Sequence, residues 1–178
     1  MESEVRNQAK SSTQEKDAGW LEHEKWKKEL RVRSEEGKVV IKAKDQPVEL
    51  GAQGYNRWIL APWMKDTTNN IMYFHSQLIP KQSGRHVHQG GIGLFVLEGE
   101  GYSIVDGVRY DWKAGDMVLL PVKKGGCEHQ HFNLDHSKPS KWLRVGPLYA
   151  QELLGGYVHQ KELSPAYKEK YGNEIVNP

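Results

Sequence analysis

Residues 1–17 are polar and carry no hydrophobic period, which predicts a disordered tail. From residue 18 to about 34 the apolar positions fall on a helical period. Trp20, His23, Trp26 and Leu30 occupy one stripe of a helix whose other faces are charged. Two tryptophans on such a helix need a cover, so this arm, residues 18–37, either packs on its own domain or crosses to a partner subunit. At Lys38 the texture changes to short β-type runs separated by turn residues. Strands are expected over Lys38–Lys44, Trp58–Trp63 and Ile71–Ile79, the last closed by Pro80 and Gly84. Tyr102–Trp112 reads as a hairpin, with Asp106-Gly107 supplying the positive φ angles of a type I′ turn. Further strands are expected over Asp116–Pro121, Cys127–Asn133 and Lys141–Val145. Many short strands with no helix between them predict an antiparallel sandwich or barrel spanning residues 38–150. Residues 151–178 read as a C-terminal extension, helical in pieces, with Ser164-Pro165 as N-cap and first turn before Ala166–Tyr171.

Composition agrees with one domain. The chain has 178 residues, 37% of them hydrophobic, and its 18 glycines bring the apolar class near the globular norm. Residues 1–46 hold 21 of the 48 charged side chains, so the core must come from residues beyond this charged quarter. A net charge of +2 with interspersed signs gives no footprint for nucleic acid. No apolar run is long enough for a membrane helix, and the N-terminus lacks the apolar segment of a secretory signal. One cysteine, Cys127, excludes an internal disulfide and fits a reducing compartment. The expectation is a soluble, cytoplasmic protein.

The histidines change the picture. Six of eight lie between positions 75 and 136. His86 and His88 are one residue apart, and so are His129 and His131. In a strand, residues i and i+2 share a face, so each pair can aim two imidazoles at one point. Imidazole is a good ligand for iron, zinc, nickel or copper.

The segment Arg85–Gly101, RHVHQGGIGLFVLEGEG, resembles the first signature motif of the cupins. Gly115–Pro121, GDMVLLP, followed by Gly126–His129 and Asn133, resembles the second. The resemblance covers about Ile71 to Val145. It implies an all-β fold, the cupin double-stranded β-helix or jelly-roll barrel, here with an N-terminal helical arm and a short C-terminal helix. It also implies a metal in the mouth of the barrel, with His86, His88 and His129 as ligands. Three features depart from the pattern. Pro80 replaces the glycine that opens the first motif, and the turn through Lys123-Lys124-Gly125 is longer than usual. The glutamate that serves as fourth ligand is absent: its position holds Ile92, while Glu98 and Glu100 come too late and read as solvated.

Three neutral imidazoles leave a divalent ion its full charge, which favours an anionic, bidentate ligand. Within the cupins, a three-histidine site resembles that of oxygenases such as the gentisate, salicylate, β-diketone, 2,4′-dihydroxyacetophenone and thiol dioxygenases. In those enzymes the substrate chelates Fe(II) and both atoms of O2 enter the product. The resemblance thus implies an Fe(II)-dependent dioxygenase cleaving a C–C bond of an aromatic, hydroxyketone or diketone substrate. Mn, Ni and Zn are the alternative metals. The competing functions are a metal-dependent isomerase or lyase on the same barrel, which usually keeps the glutamate, and a non-catalytic small-molecule-binding cupin.

Other residues carry two readings each. His131 is a fourth ligand or catalytic donor, or a histidine bonded to the barrel wall. His75 is a candidate acid or base, or an ordinary strand histidine. Arg57 and Arg144 could bind an anionic substrate group, although arginine is more often at the surface. Cys127 and Asn133 are expected to be structural. The expected partners are a small-molecule substrate and O2, with no nucleic acid and no membrane. Because a lone barrel leaves sheet edges open, a homodimer or higher homo-oligomer is expected.

Overall fold

The computed structural model describes residues 13–148, 153–154 and 158–175. Its elements fall into two compact units, residues 1–39 with 65–69, and residues 40–64 with 70–178.

The first unit is built on helix α1, Thr13–Glu36, which starts within the tail expected to be disordered; residues 1–12 of that tail lie outside the described residues. The helix ends at Gly37, whose N–H donates to the Arg33 carbonyl. A Cβ on Gly37 would run into the Arg33 carbonyl and the backbone at Thr67 and Thr68, so no larger residue fits. Lys38 then forms a bridge with Thr67 and an ion pair of 2.6 Å with Asp66. Trp20 and Trp26 flank His23 on the stripe that the period predicts, and both remain more than half exposed.

The second unit is a sandwich of two antiparallel sheets. One has the order β1-β2-β3-β10-β5-β8 and the other β11-β4-β9-β6-β7. Its strands are β1 Glu49–Gly51, β2 Gly54–Leu60, β3 Met72–Ile79, β4 Arg85–His88, β5 Ile92–Glu98 and β6 Glu100–Val105. They continue with β7 Val108–Lys113, β8 Met117–Leu120, β9 Cys127–Asn133, β10 Ser140–Pro147 and β11 His159–Glu162. Helix α2, Pro165–Tyr171, comes after them. Alternation along each strand sends one set of side chains inward. Ile79, Ile92, Leu94, Val96, Val105, Trp112, Leu120, Cys127 and Trp142 form the core, each large apolar side chain contributing roughly 1.5–3 kcal/mol by leaving water.

Most predicted strands stand within a residue or two. The Asp106-Gly107 turn has φ angles of 51° and 83°, as a type I′ hairpin requires. Its tip is tied to β9 by two bonds, from Asp106 N–H to the Glu128 carbonyl and from Glu128 N–H to Asp106 Oδ1. Ser164 caps α2, its hydroxyl accepting from the Tyr167 amide. Three expectations need correction. Lys38–Lys44 is no strand: apart from the single bridge at Lys38 it runs into a 3-10 turn at Ala43–Asp45, and Val39 and Val40 are exposed. A β-branched run makes a strand only where a neighbour offers pairing and cover. The strand placed at Trp58–Trp63 starts earlier and stops at Leu60, ahead of Pro62, which has no amide hydrogen to donate. Finally, the barrel does not end at residue 150. Strand β11, from the expected extension, pairs with β4, and Gln160 stands opposite His86.

Candidate metal centre

Strands β4 and β9 lie side by side in the five-stranded sheet, with His86 directly opposite His129 and His88 opposite Cys127. The spacing of two puts His86 and His88 on the inner face, and all three histidines are at least 95% buried. Their rings sit 4.2 to 5.2 Å apart, centroid to centroid, and one ligand nitrogen from each lies within 4.8 Å of the others.

The backbone settles which nitrogen that is. Nδ1 of His86 lies 3.2 Å from the Gly84 carbonyl, Nδ1 of His88 2.6 Å from that of Gln89, and Nδ1 of His129 3.0 Å from that of Cys127. A carbonyl only accepts, so each Nδ1 carries the hydrogen and each Nε2 keeps its lone pair. Such bonds hold the ring orientation of metal-ligating histidines. Burial, joined at His86 and His129 by the neighbouring imidazoles, holds these two histidines well below the usual value; burial brings His88 down to about 4. All three are therefore neutral at pH 7, with no proton competing for Nε2. Gly126 makes the approach of β9 to β4 possible: it takes φ of +82°, and a Cβ there would press on the His88 carbonyl.

Residues 75–146 match the family model described as Cupin domain. The chain carries a cupin domain. Solved structures agree on the fold. A Cupin 2 conserved barrel domain protein from Salinispora arenicola shares 20% identity over 66% of this chain and 95% of its own, with a TM-score of 0.50. The polyketide cyclase RemF from Streptomyces resistomycificus is 13% identical over 79% and 87%, at 0.51. A salicylate 1,2-dioxygenase from Pseudoaminobacter salicylatoxidans, solved in complex with gentisate, is 21% identical at 0.51. There the match covers 86% of this chain and 44% of that enzyme. No curated protein matches the sequence.

Among the described residues no carboxylate or thiolate joins the cupin histidines. Ile92, at the position of the missing glutamate, is a core residue at the start of β5 and would touch a Cβ placed on Gly146. Glu98 and Glu100 are exposed, and Glu98 pairs with Lys141. A donor set of three neutral imidazoles suits a divalent transition metal.

His131 shares the inner face but stands outside the group of three. Its Nδ1 is 2.8 Å from Ser103 Oγ, which also accepts from Trp112 Nε1 at 3.0 Å, and its ring lies against Trp142. The indole can only donate, so the Ser103 hydroxyl is free to donate onward to His131. Cys127 is buried, its thiol pushed up to about 11 chiefly by burial, and its carbonyl orients His129. The Asn133 amide nitrogen lies within hydrogen-bond distance of the Pro80, Asp135 and Lys138 carbonyls, clamping the loop after β9.

The opposite wall comes from the six-stranded sheet. Trp58 pairs with His75, and His75 with Arg144, across β2, β3 and β10. These three side chains and His88 line one cavity of about 380 Å³, with Asn56, Trp63, Tyr73 and Gln160 around it. His75 is buried edge-on to Trp58, its ring centroid 4.3 Å away, and its Nδ1 has no partner among the described residues. Burial, assisted by the Arg144 charge, lowers His75 to about 3. Arg57, one position from Trp58, alternates to the other face. The sequence named Arg144 only as one of two arginines and missed Gln160 and Asn56 altogether. The signal for Gln160 was faint: a four-residue strand of which only Gln160 is buried.

Proposed function

We propose that the chain is an Fe(II)-dependent dioxygenase that cleaves a C–C bond of an aromatic or hydroxyketone substrate able to chelate the metal. The observation that carries this reading is the set of three convergent, neutral imidazoles with an isoleucine where a carboxylate ligand would stand. His86, His88 and His129 would hold the ion through Nε2. When bound, the metal would supply a Lewis acid that keeps its full double charge and can engage both an ionised substrate oxygen and O2. The rest falls to the chain's own groups. Trp58, Trp63 and Tyr73 bound the substrate space with aromatic faces and edges. His75 is neutral throughout the physiological range, so it lines that space as an uncharged ring and does not store a proton.

The test is metal analysis of anaerobically purified protein, then O2 uptake with catechols, hydroxybenzoates, aryl hydroxyketones and diketones. Stoichiometric uptake with both labelled oxygen atoms in the cleaved product is the expected result. Turnover under strict anaerobiosis would overturn the reading in favour of an isomerase or lyase.

A further inference from the structure

Helix α1 carries an apolar stripe that is left largely open to water. Trp20 is 62% exposed and Trp26 55%, while Leu30, further along the stripe, is half-buried. The two indoles lie 5.5 and 6.0 Å from the His23 ring, centroid to centroid, and among the described residues no other ring meets them. Indole is the side chain with the most apolar surface to gain from cover, and a solvated helix seldom presents two of them on adjoining turns.

The charges on this helix are sorted by position. From Asp17 to Glu24 every ionised side chain is acidic: Asp17, Glu22 and Glu24. From Lys25 to Arg33 five are basic, Lys25, Lys27, Lys28, Arg31 and Arg33, against Glu29 alone. The sign therefore changes between residues 24 and 25, the midpoint of the helix Thr13–Glu36. The helix dipole favours acid at the start and base at the end, but its influence is confined to the first and last turns. It does not account for a step at the centre. Nor does the helix satisfy these charges by itself. Glu24 pairs with Lys27 at 2.7 Å, whereas Glu22, Lys25 and Lys28 stand in no ion pair among the described residues.

We propose that two copies of the chain pair through α1, the helices antiparallel about a two-fold axis at residues 24 and 25. A two-fold contact needs a surface complementary to itself, and a helix whose charge reverses at its midpoint has one. Antiparallel pairing sets the acidic half of each copy against the basic half of the other. Parallel pairing would set like charges together. The apolar stripe matches itself on the same axis. Trp20 of each copy comes near Leu30 of the other, and the two stacks of His23 on Trp26 meet at the centre. At 100° per residue Glu22 and Glu24 flank the stripe in one half, while Lys27 lies within it and Arg31 beside it in the other. Nucleic acid or an anionic membrane would use the basic half and be repelled by the acidic one, whereas a second copy uses both. The matched span of roughly 16 residues is about 24 Å long. That is small for an interface, so the pair should be reversible, with a dissociation constant on the order of micromolar. The pairing involves neither the histidines nor the reaction proposed above.

The experiment measures the mass of the full-length protein by analytical ultracentrifugation between about 1 and 100 μM. The mass should rise with concentration. Trp20→Ala/Trp26→Ala should halve the assembled mass with an unchanged circular dichroism spectrum, because both side chains are exposed and lie outside the barrel unit. Two charge-reversed variants then separate a self-complementary contact from general adhesion of exposed indoles. Glu22→Lys/Glu24→Lys and Lys27→Glu/Arg31→Glu should each fail to pair alone and should pair with each other when mixed. A chain that stays monomeric at the highest concentration would overturn the proposal, and indoles shielded from iodide in that monomer would show the stripe covered by its own chain. A tryptophan variant that keeps the full mass would also overturn it, as would reversed variants that do not combine on mixing.

Discussion

On the inner face of the five-stranded sheet, His86, His88, His129 and His131 each have a partner for Nδ1, a backbone carbonyl or the Ser103 hydroxyl. Across the barrel, on the six-stranded sheet, and among the described residues, Asn56 Oδ1 and His75 Nδ1 have none and Arg144 has no counter-ion. Both faces use strand alternation to point polar groups inward, yet they differ in completion. The histidine face is finished before any ion arrives: in His86, His88 and His129 the tautomer, ring plane and protonation are already those of a ligand. The arginine face is left open, with buried polar atoms that have no partner among the described residues. A preorganised set of histidines thus faces a wall whose buried polar atoms are unsatisfied.

The largest effect should come from removing a member of the finished face. His88→Ala should lower metal affinity more than about 100-fold, beyond what loss of an outer-shell partner costs, with the barrel still folded by circular dichroism. Full metal retention in that variant, measured by atomic emission, would dissolve the contrast between the faces.

Acid should act next most strongly. His75 and His131 titrate near 3 and His88 near 4 in the folded chain, His86 and His129 also lie low, and an unfolded histidine titrates near 6.5. Below about 6.5 the unfolded state therefore binds more protons. Stability is intact above that pH and falls as pH drops, by up to about 1.4 kcal/mol per pH unit for each such histidine. Metal-free protein should unfold cooperatively between about pH 6 and pH 4. A melting temperature that stays flat from pH 7 to pH 4 would mean that the histidine face is not buried and neutral.

Ile92→Glu places a carboxylate where the sequence motif lacks one. Without metal it should lose several kcal/mol, as an uncompensated buried charge does. Metal should then raise its melting temperature by more than it raises that of the unmutated protein. An equal rise in both would show that position 92 does not reach the ion.

The smallest effect concerns support behind the ligands. Ser103→Ala leaves Trp112 Nε1 and His131 Nδ1 without their shared partner, and should cost about 1–3 kcal/mol in chemical denaturation with little loss of bound metal. A large loss of metal would instead make His131 part of the coordination.

What the chain declares by itself is what depends on neighbours in sequence. The spacing of two in His86–His88 specifies a shared face whatever the fold, and Asp106-Gly107 specifies a turn because few residues tolerate positive φ. Ser164-Pro165 likewise marks a helix start through bonds made within one turn. From these and the two cupin-like motifs, the barrel and the three converging histidines were legible. What depends on partners distant in sequence was not. Lys38–Lys44 has strand propensity but no neighbouring edge, so it stays irregular, while the unpatterned His159–Glu162 becomes a strand because β4 offers one. Arg144 and Arg57 look alike in sequence. Only the pairing of Arg144 with His75, and of Trp58 with the same histidine, turns the first into the cavity and the second away from it. Burial is a property of two surfaces meeting, and one surface cannot be read for the other.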